Sequence, residues 1–261
     1  MTLPLLVSET HGVVRLTLNR PKTKNALNPE LVSMLGDALE RAASTPTNRV
    51  IVLSGAGGSF CSGADLMEDF QPHRTELPLL EARLDAFQRL IRCITSAPQV
   101  VIAEVDGPAV GFGADLALAC DLRIVSEKAY FQEKFIAIGL MPDGGASYFL
   151  PRLVGVGRAL ELLLTGRAVQ AAEALALGLA SEVVPADSLE ACVDGWAERF
   201  QGAAPLAVQR IKQAVRSSLH GDLAEGLARE KEGQLRLLKS ADLLEGVTAF
   251  REKRTPSFRG S

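Results

Sequence analysis

Glycine, alanine, aspartate and leucine stand in the same order twice, at Gly63-Ala64-Asp65-Leu66 and Gly113-Ala114-Asp115-Leu116. Each copy ends a similar run. Val50-Ile51-Val52-Leu53 leads through Gly55, Gly57 and Gly58 to Gly63, and Val101-Ile102-Ala103-Glu104-Val105 leads through Gly107 and Gly111 to Gly113. A short buried-type strand, a glycine-rich turn and a helix start leave backbone N–H groups bare. Two such turns predict two donors converging on one oxygen, an arrangement that stabilises an oxyanion as it forms. Asp65 is expected to cap or brace its own turn. Asp115 reads equally well as an acid favouring its helix N-terminus and as a carboxylate beside the oxyanion. A third run, Ile138-Gly139-Leu140-Met141-Pro142-Asp143-Gly144-Gly145, holds Asp143. It reads either as the cap of a helix starting near Ala146 or as a base whose pKa is raised by apolar neighbours.

The elements that must position these groups alternate between strand and helix up to about residue 185. Val13–Leu18 reads as a strand closed by Arg20-Pro21. Asn28-Pro29-Glu30 is a helix start, and Leu31, Met34, Leu35, Ala38, Leu39 and Ala42 form its apolar stripe. Residues 49–54 and 100–105 are strands, each followed by a glycine loop. Residues 67–78, with Pro72, His73 and Pro78, read as an irregular loop. A helix from Glu81 to Thr95 places Leu84, Phe87, Leu90, Ile91 and Ile94 on one face. After residue 186 only helices are predicted: Leu189–Phe200, Ala207–Leu219, Asp222–Leu238 and Ala241–Lys253. The division is therefore an α/β core, 1–186, and a helical region, 187–261. The stripe Ala207, Ile211, Val215 and Leu219 serves either core packing or an oligomer contact.

The chain has 261 residues, 47% hydrophobic and 23% charged, with a net charge of −3. That balance offers no bulk attraction to nucleic acid or to acidic membranes. The C-terminal cluster Arg251, Lys253, Arg254 and Arg259 is too small to argue for nucleic acid. Neither a secretory signal nor a membrane-spanning apolar run is visible, so a cytoplasmic location is expected. Cys61, Cys93, Cys120 and Cys192 lack metal-ligand spacing and read as free thiols. His11, His73 and His220 are isolated, which leaves Ser-His-Asp, Cys-His and zinc sites without candidates.

Taken in order, these stretches resemble the crotonase, or enoyl-CoA hydratase/isomerase, superfamily along nearly the whole chain. The resemblance runs from Leu18-Asn19-Arg20-Pro21-Lys22 and Asn25-Ala26-Leu27 through Ser59-Phe60-Cys61-Ser62-Gly63-Ala64-Asp65-Leu66 and Ala117-Leu118-Ala119-Cys120-Asp121. It continues through Leu150-Pro151-Arg152-Leu153-Val154-Gly155 and Leu164-Thr165-Gly166-Arg167 to Glu245-Gly246-Val247-Thr248-Ala249-Phe250. It implies an α/β fold, a spiral of repeated β-β-α units with a C-terminal helical trimerisation region, as a homotrimer or a hexamer made of two trimers. It implies an acyl-CoA thioester substrate, with coenzyme A part of that substrate and no separate cofactor or metal. The thioester oxygen would sit between the N–H groups of Ala64 and Phe112. CoA contacts would fall on Lys22, Thr23 and Lys24, on the loop Ser62, Gly63, Ala64, Asp65 and Leu66, and on Phe250 and Lys253, the last two reaching a neighbouring subunit. Gly111 and Phe135 would border the acyl group. The C-terminal basic cluster would pair with CoA phosphates.

Hydratases of the family use two glutamates; Asp115 and Phe135 stand in their places here. A phenyl ring cannot activate water. On a continuing strand Glu133 would share a face with Phe135 a ~6–7 Å step away, so it is not expected to substitute. An aspartate at the position of Asp143 is used by dienoyl-CoA isomerases and by ring-opening isomerases of phenylacetate breakdown, which this run most resembles. The corresponding position also supplies the nucleophile of aryl-CoA dehalogenases. The resemblance thus implies double-bond migration with Asp143 as acid/base and Asp115 as a second proton carrier or polar wall. The alternatives are an enoyl-CoA hydratase with an altered acid/base pair and a non-catalytic acyl-CoA-binding subunit. Phe112, where many relatives carry glycine or alanine, is expected to narrow the acyl pocket with its ring.

Overall fold

β1 (Leu5–Thr10) and β2 (Val13–Leu18) form an antiparallel hairpin over His11-Gly12, both at positive φ. Helix α1 (Pro29–Ser44) follows. Asn28 caps it by accepting from the Leu31 N–H at 3.0 Å, and Pro29 fits the first turn because it has no N–H to satisfy. Next come β3 (Val50–Gly55), the short α2 (Leu66–Asp69), α3 (Leu77–Ser96), β4 (Val100–Val105), β5 (Pro108–Val110) and α4 (Phe112–Ala119). β6 (Leu122–Ser126), β7 (Tyr130–Gln132), a 3-10 turn at Phe135–Ile138, α5 (Ala146–Val154) and α6 (Val156–Thr165) follow. The chain continues with β8 (Val169–Gln170), α7 (Ala171–Ala176) and β9 (Glu182–Val184), then α8 (Leu189–Gln201), α9 (Pro205–Ser217), α10 (Leu223–Leu237) and α11 (Ala241–Glu252). The structure, a computed structural model, describes residues 3–69 and 76–261.

The strands form two sheets. The larger has the order β1-β2-β3-β4-β6-β9, parallel from β2 onward; the smaller has the order β5-β7-β8. An isolated parallel bridge between Cys61 and Ala109 extends the smaller sheet toward the first glycine loop. β4-β5-α4 and β6-β7-α5 are therefore successive β-β-α turns of one spiral, each placing a strand in the large sheet and the next in the small one. β3 and β4 are apolar over residues 50–53 and 100–103 because both of their faces are covered there, as parallel strands require. On one face, Ile51, Leu53, Val101 and Ala103 join the main core with α1, α3 and α4. On the other, Val50, Val52, Val100 and Ile102 meet Leu189, Val193 and Ala197 of α8.

Several expectations change at this level. α8, at the start of the predicted helical region, is packed onto the sheet and belongs to the core. α3 begins at Leu77, a turn before Glu81, with Pro78 inside its first turn, so part of the expected loop is helical. His73 and Pro72 lie outside the described residues. Leu84 is exposed, whereas Phe87, Leu90 and Ile94 of the same helix are buried. Ile211, Val215 and Leu219 are more than half exposed, so their stripe is not core packing within one chain. The four cysteines are unpaired. Among the described residues no helix is long and apolar enough to cross a membrane.

Asn28 also donates to Glu68 Oε2 at 2.8 Å, tying α1 to α2. Asn28→Ala should cost about 1 kcal/mol, the usual loss of an N-cap. In a chain of this size that lowers the melting temperature by roughly 2–4 °C, measurable by calorimetry.

Candidate active site

The two glycine loops are joined backbone to backbone. The Phe60 and Cys61 N–H groups both donate to Pro108 O, at 3.1 and 3.0 Å, and the Val110 N–H donates back to Cys61 O at 2.9 Å. A Cβ at Gly113 would overlap the Cys61 carbonyl, so glycine is required there by packing. Gly63, at φ +92°, lies against the other loop: a Cβ on it would stand 2.8 Å from Val110 O and 3.4 Å from Phe112 N. A second link comes from the start of α1. The Leu27 N–H donates to Gly63 O at 2.8 Å, and the Asp65 N–H donates to Leu27 O at 3.0 Å. That ladder uses the groups on either side of Ala64 and leaves the Ala64 N–H over. Among the described residues, neither the Ala64 N–H nor the Phe112 N–H, the first of α4, has a hydrogen-bond partner. The two donors singled out in the sequence are thus both bare and on touching loops.

The segment Lys22-Thr23-Lys24 is brought to this place as well. Ser62 Oγ donates to Thr23 O at 3.0 Å and the Ser62 N–H donates to Lys24 O at 3.0 Å. Lys22 and Lys24 are exposed on that turn. Two residues not singled out in the sequence for this role hold it in shape. Asn25 is fully buried at φ +57°; its Nδ2 donates to Ala56 O and Ser59 O at 2.9 and 2.6 Å, and its Oδ1 accepts from the Arg20 N–H at 2.9 Å. Arg20 reaches Ala26 O, Asp65 Oδ2 and Glu68 Oε1 at 2.6, 2.8 and 2.8 Å. Asp65 also accepts from the Met67 and Glu68 N–H groups at 3.3 Å. Its carboxylate therefore braces the loop. Burial pushes its pKa up, but hydrogen bonds from Arg20 and the two N–H groups outweigh that and hold it below the ordinary aspartate value.

Asp115 is fully buried in α4. Its Oδ1 accepts from the Ala146 N–H at 2.6 Å, so the cap of α5 expected from Asp143 is supplied by Asp115 from another helix. Its Oδ2 makes no hydrogen bond of normal geometry. A Cβ on Gly144 would fall 2.6 Å from the Asp115 Cβ. Burial, against the backbone donors and with the nearby charge of Asp143, pushes the Asp115 pKa up to about 8. Asp143 precedes α5, with its carbonyl accepting from Gln88 Nε2 at 3.3 Å. Its Oδ1 is buried without a partner, and desolvation raises its pKa despite the charge of Arg83. Phe135 is buried beside the second loop, its ring 3.8 Å from where a Gly111 Cβ would be. The Phe112 ring does not project into an acyl pocket as expected; it is 2% exposed and packs edge-on to Phe87 at 4.8 Å.

Glu133 corrects the sequence reading. β7 ends at Gln132 and the chain turns into the 3-10 segment, so Glu133 and Phe135 are not alternate residues of one strand. Glu133 is buried within electrostatic reach of both Asp115 and Asp143. No three His, Cys, Asp or Glu side chains among the described residues are arranged to hold a metal.

Phe250 and Lys253 stand apart within the single chain. Phe250 is 85% exposed and shares a groove of about 420 Å³ with Leu206, Leu237 and Phe258. In the basic cluster, Arg254 is already bonded to Glu245, at 2.6 and 2.9 Å, and to Glu252 at 2.6 Å. Its guanidinium is thus held by acids of its own chain.

This β-β-α spiral, with its paired glycine loops and buried carboxylates, is that of a known class of enzymes. The profile of the enoyl-CoA hydratase/isomerase family matches residues 8–261. The 2,3-dehydroadipyl-CoA hydratase of Escherichia coli is 38% identical over 98% of both chains. The mitochondrial methylglutaconyl-CoA hydratase of Mus musculus is 34% identical over 98% of this chain and 82% of its own. The crystal structure of an enoyl-CoA hydratase from Bacillus anthracis superposes with a TM-score of 0.94 at 36% identity, covering 99% of this chain and 100% of that one. The chain belongs to the enoyl-CoA hydratase/isomerase family and is an enzyme of the hydratase or isomerase type with the crotonase fold.

The raised pKa of Asp115 has a consequence for stability. A carboxyl with a folded pKa above its unfolded value contributes fully below the unfolded pKa, and the contribution is lost as pH rises through the folded pKa, here about 8. Asp115→Asn keeps an acceptor for the Ala146 N–H and removes the ionisation. The melting temperature of the variant minus that of the wild type should therefore grow more positive between mildly acid and mildly alkaline pH. A difference independent of pH would contradict the raised pKa.

Proposed function

We propose that the enzyme shifts a double bond in an unsaturated acyl-CoA through a thioester enolate. The Ala64 and Phe112 N–H groups would receive the thioester oxygen, forming an oxyanion hole whose donors act most strongly as charge develops. The Asp143 carboxylate would take a proton from a carbon conjugated with the thioester. The electron pair of that C–H bond moves into the enolate, and the proton returns to a different carbon as the thioester carbonyl re-forms. No water is consumed and no cofactor is required. The observation that carries this reading is the buried, unpartnered Oδ1 of Asp143 next to Asp115, with a phenyl ring at position 135 where water activation would need a carboxylate. The run through Pro142-Asp143-Gly144-Gly145 resembles the ring-opening isomerases of phenylacetate breakdown, which supports the same chemistry.

CoA would lie along Lys22, Thr23, Lys24 and the loop Ser62–Leu66, which the Ser62 hydrogen bonds hold together. Phe250 and Lys253 would reach the CoA of a neighbouring subunit in a homotrimer or a dimer of trimers. The exposure of Phe250, Ile211, Val215 and Leu219 supports this, since such apolar groups gain from being covered.

A second reading, hydration of a 2-enoyl-CoA, is favoured by the relatives named as hydratases and by the pairing of Asp115 with Asp143. A panel of acyl-CoA thioesters, assayed in parallel for isomerisation, hydration and solvent-deuterium exchange, separates the two. Exchange and bond migration without hydration of crotonyl-CoA are expected; rapid loss of its enoyl-thioester absorbance through water addition would establish hydration instead. Asp143→Asn should lower kcat by about 10²–10⁴-fold, the range of a lost acid/base group. Wild-type activity should fall toward acid pH as Asp143 takes up its proton, because the base is its ionised form.

A further inference from the structure

Helix α3 meets both halves of the site within one turn. Phe87 is buried, and its ring packs edge-on at 4.8 Å to that of Phe112, the residue that supplies one of the two candidate oxyanion donors. The next residue, Gln88, donates from Nε2 to the Asp143 carbonyl at 3.3 Å. The same turn is fixed on its other sides. Leu90 is fully buried, and Arg89 is bonded to Glu40 at 2.8 and 2.7 Å and to Asp37 at 2.8 Å, both on α1. The stretch that carries Asp143 has little pairing of its own. Among the described residues, Met141, Pro142, Asp143 and Gly144 make no backbone–backbone hydrogen bond. Gly144 lies against the Asp115 side chain: a Cβ on it would fall 2.7 Å from Oδ2. The peptide joining Asp143 to Gly144 is therefore gripped from two helices, at its carbonyl by Gln88 of α3 and at its glycine by Asp115 of α4.

We propose that Gln88 is a positioning residue for the proton transfer, acting through Asp143. A peptide unit is planar, so a bond to the Asp143 carbonyl fixes the plane that begins at the Asp143 Cα and limits rotation there. The carboxyl has no equivalent tie at Oδ1, which is buried without a partner. Its aim is thus set through the backbone. Phe87 and Gln88 hold the donor loop and the base to one anchored turn of helix. That turn sets the separation between the place where negative charge develops and the group that removes the proton. Proton transfer tolerates little misplacement: a shift of about 1 Å can slow a reaction by about 10²-fold. The CoA portion, placed on Lys22–Lys24 and the loop Ser62–Leu66, is bound without Gln88, so the effect falls on kcat and leaves KM alone. The role rests on the assignment of Asp143 as the base.

The test compares the wild type, Gln88→Met, Asp143→Asn and the double variant as full-length enzymes. The readout is solvent-deuterium exchange into whichever thioester of the panel the wild type exchanges fastest. Methionine matches the length of glutamine and cannot donate. Gln88 is exposed, so the melting temperature should stay within about 2 °C of the wild type. The kcat for exchange in Gln88→Met should fall about tenfold, with KM within about twofold. In the Asp143→Asn background the same change should lower kcat by less than about twofold, because the group that Gln88 positions is already disabled. Gln88→Glu also keeps the shape and loses the donor, and should show the same loss. The charged groups already around Asp143 are Arg83 on α3, Asp115 on α4 and Glu133 after β7. A further carboxylate there disfavours ionised Asp143, so the acidic limb of the kcat–pH profile in Gln88→Glu should move to higher pH. A wild-type kcat in Gln88→Met overturns the proposal, as does a tenfold loss that persists in the double variant. Undiminished exchange in Asp143→Asn overturns the assignment of the base instead, so the two failures are distinguishable.

Discussion

The contact between the Cys61 carbonyl and the backbone at Gly113 governs the rest of the site. The strands feeding the two glycine loops are neighbours in the large sheet, but sheet pairing alone would not bring the loops into contact. The ladder of Cys61 with Pro108 and Val110 does so, and Gly113 permits it because nothing larger than hydrogen fits beneath that carbonyl. Once the loops are locked, the remaining backbone groups are used up in pairs. Leu27 takes Gly63 O and the Asp65 N–H, Gln132 takes the Gly111 N–H, and among the N–H groups left without a partner in the described residues are those of Ala64 and Phe112. Donors fixed by a sheet and by the first turn of a helix need no reorganisation when charge appears near them. The site thus arises from hydrogen-bond accounting in the backbone, with side chains such as Asn25 and Arg20 acting as struts.

The acids obey the opposite logic. Asp65 is surrounded by donors and sits below its ordinary pKa, whereas Asp115, Glu133 and Asp143 have few donors and sit above theirs. Four carboxyls on one spiral are therefore divided into one whose partners favour its charge and which holds a loop, and three whose charge burial opposes. Asp115 belongs to both worlds. It anchors the N-terminus of α5 and is also one of the three acids that burial raises, so its protonation bears on how firmly α5 is seated.

Much of this was legible in the residues. The apolar runs at Val50–Leu53 and Val100–Val105 could only be strands covered on both faces, and Asn28-Pro29 could only open a helix. The glycine spacing located both loops, and the N–H groups of Ala64 and Phe112 have no hydrogen-bond partner among the described residues. What escaped had a physical reason in each case. Nothing local distinguishes the Phe112 ring as core, since Phe87 lies on a different helix. Asp143 carried every mark of a cap, yet the cap came from Asp115, distant in sequence. Glu133 and Phe135 stand two apart as on a strand, whereas the chain enters a 3-10 turn at Phe135 that lies against Gly166. That α8 covers the back of the sheet was also hidden, because a strand buried on both faces does not announce which helix covers it.

The lack of room between Gly144 and Asp115 also constrains how this chain can diverge. A single methyl group at 144 meets the Asp115 side chain at 2.6 Å. The two positions are therefore not free to mutate independently: a side chain at 144 is tolerated only after 115 or the start of α5 has shifted, and bulk added at 115 faces the same wall. In evolutionary terms they are an epistatic pair. A route from this set of acids to another passes through both codons together, or through an intermediate that is poorly folded.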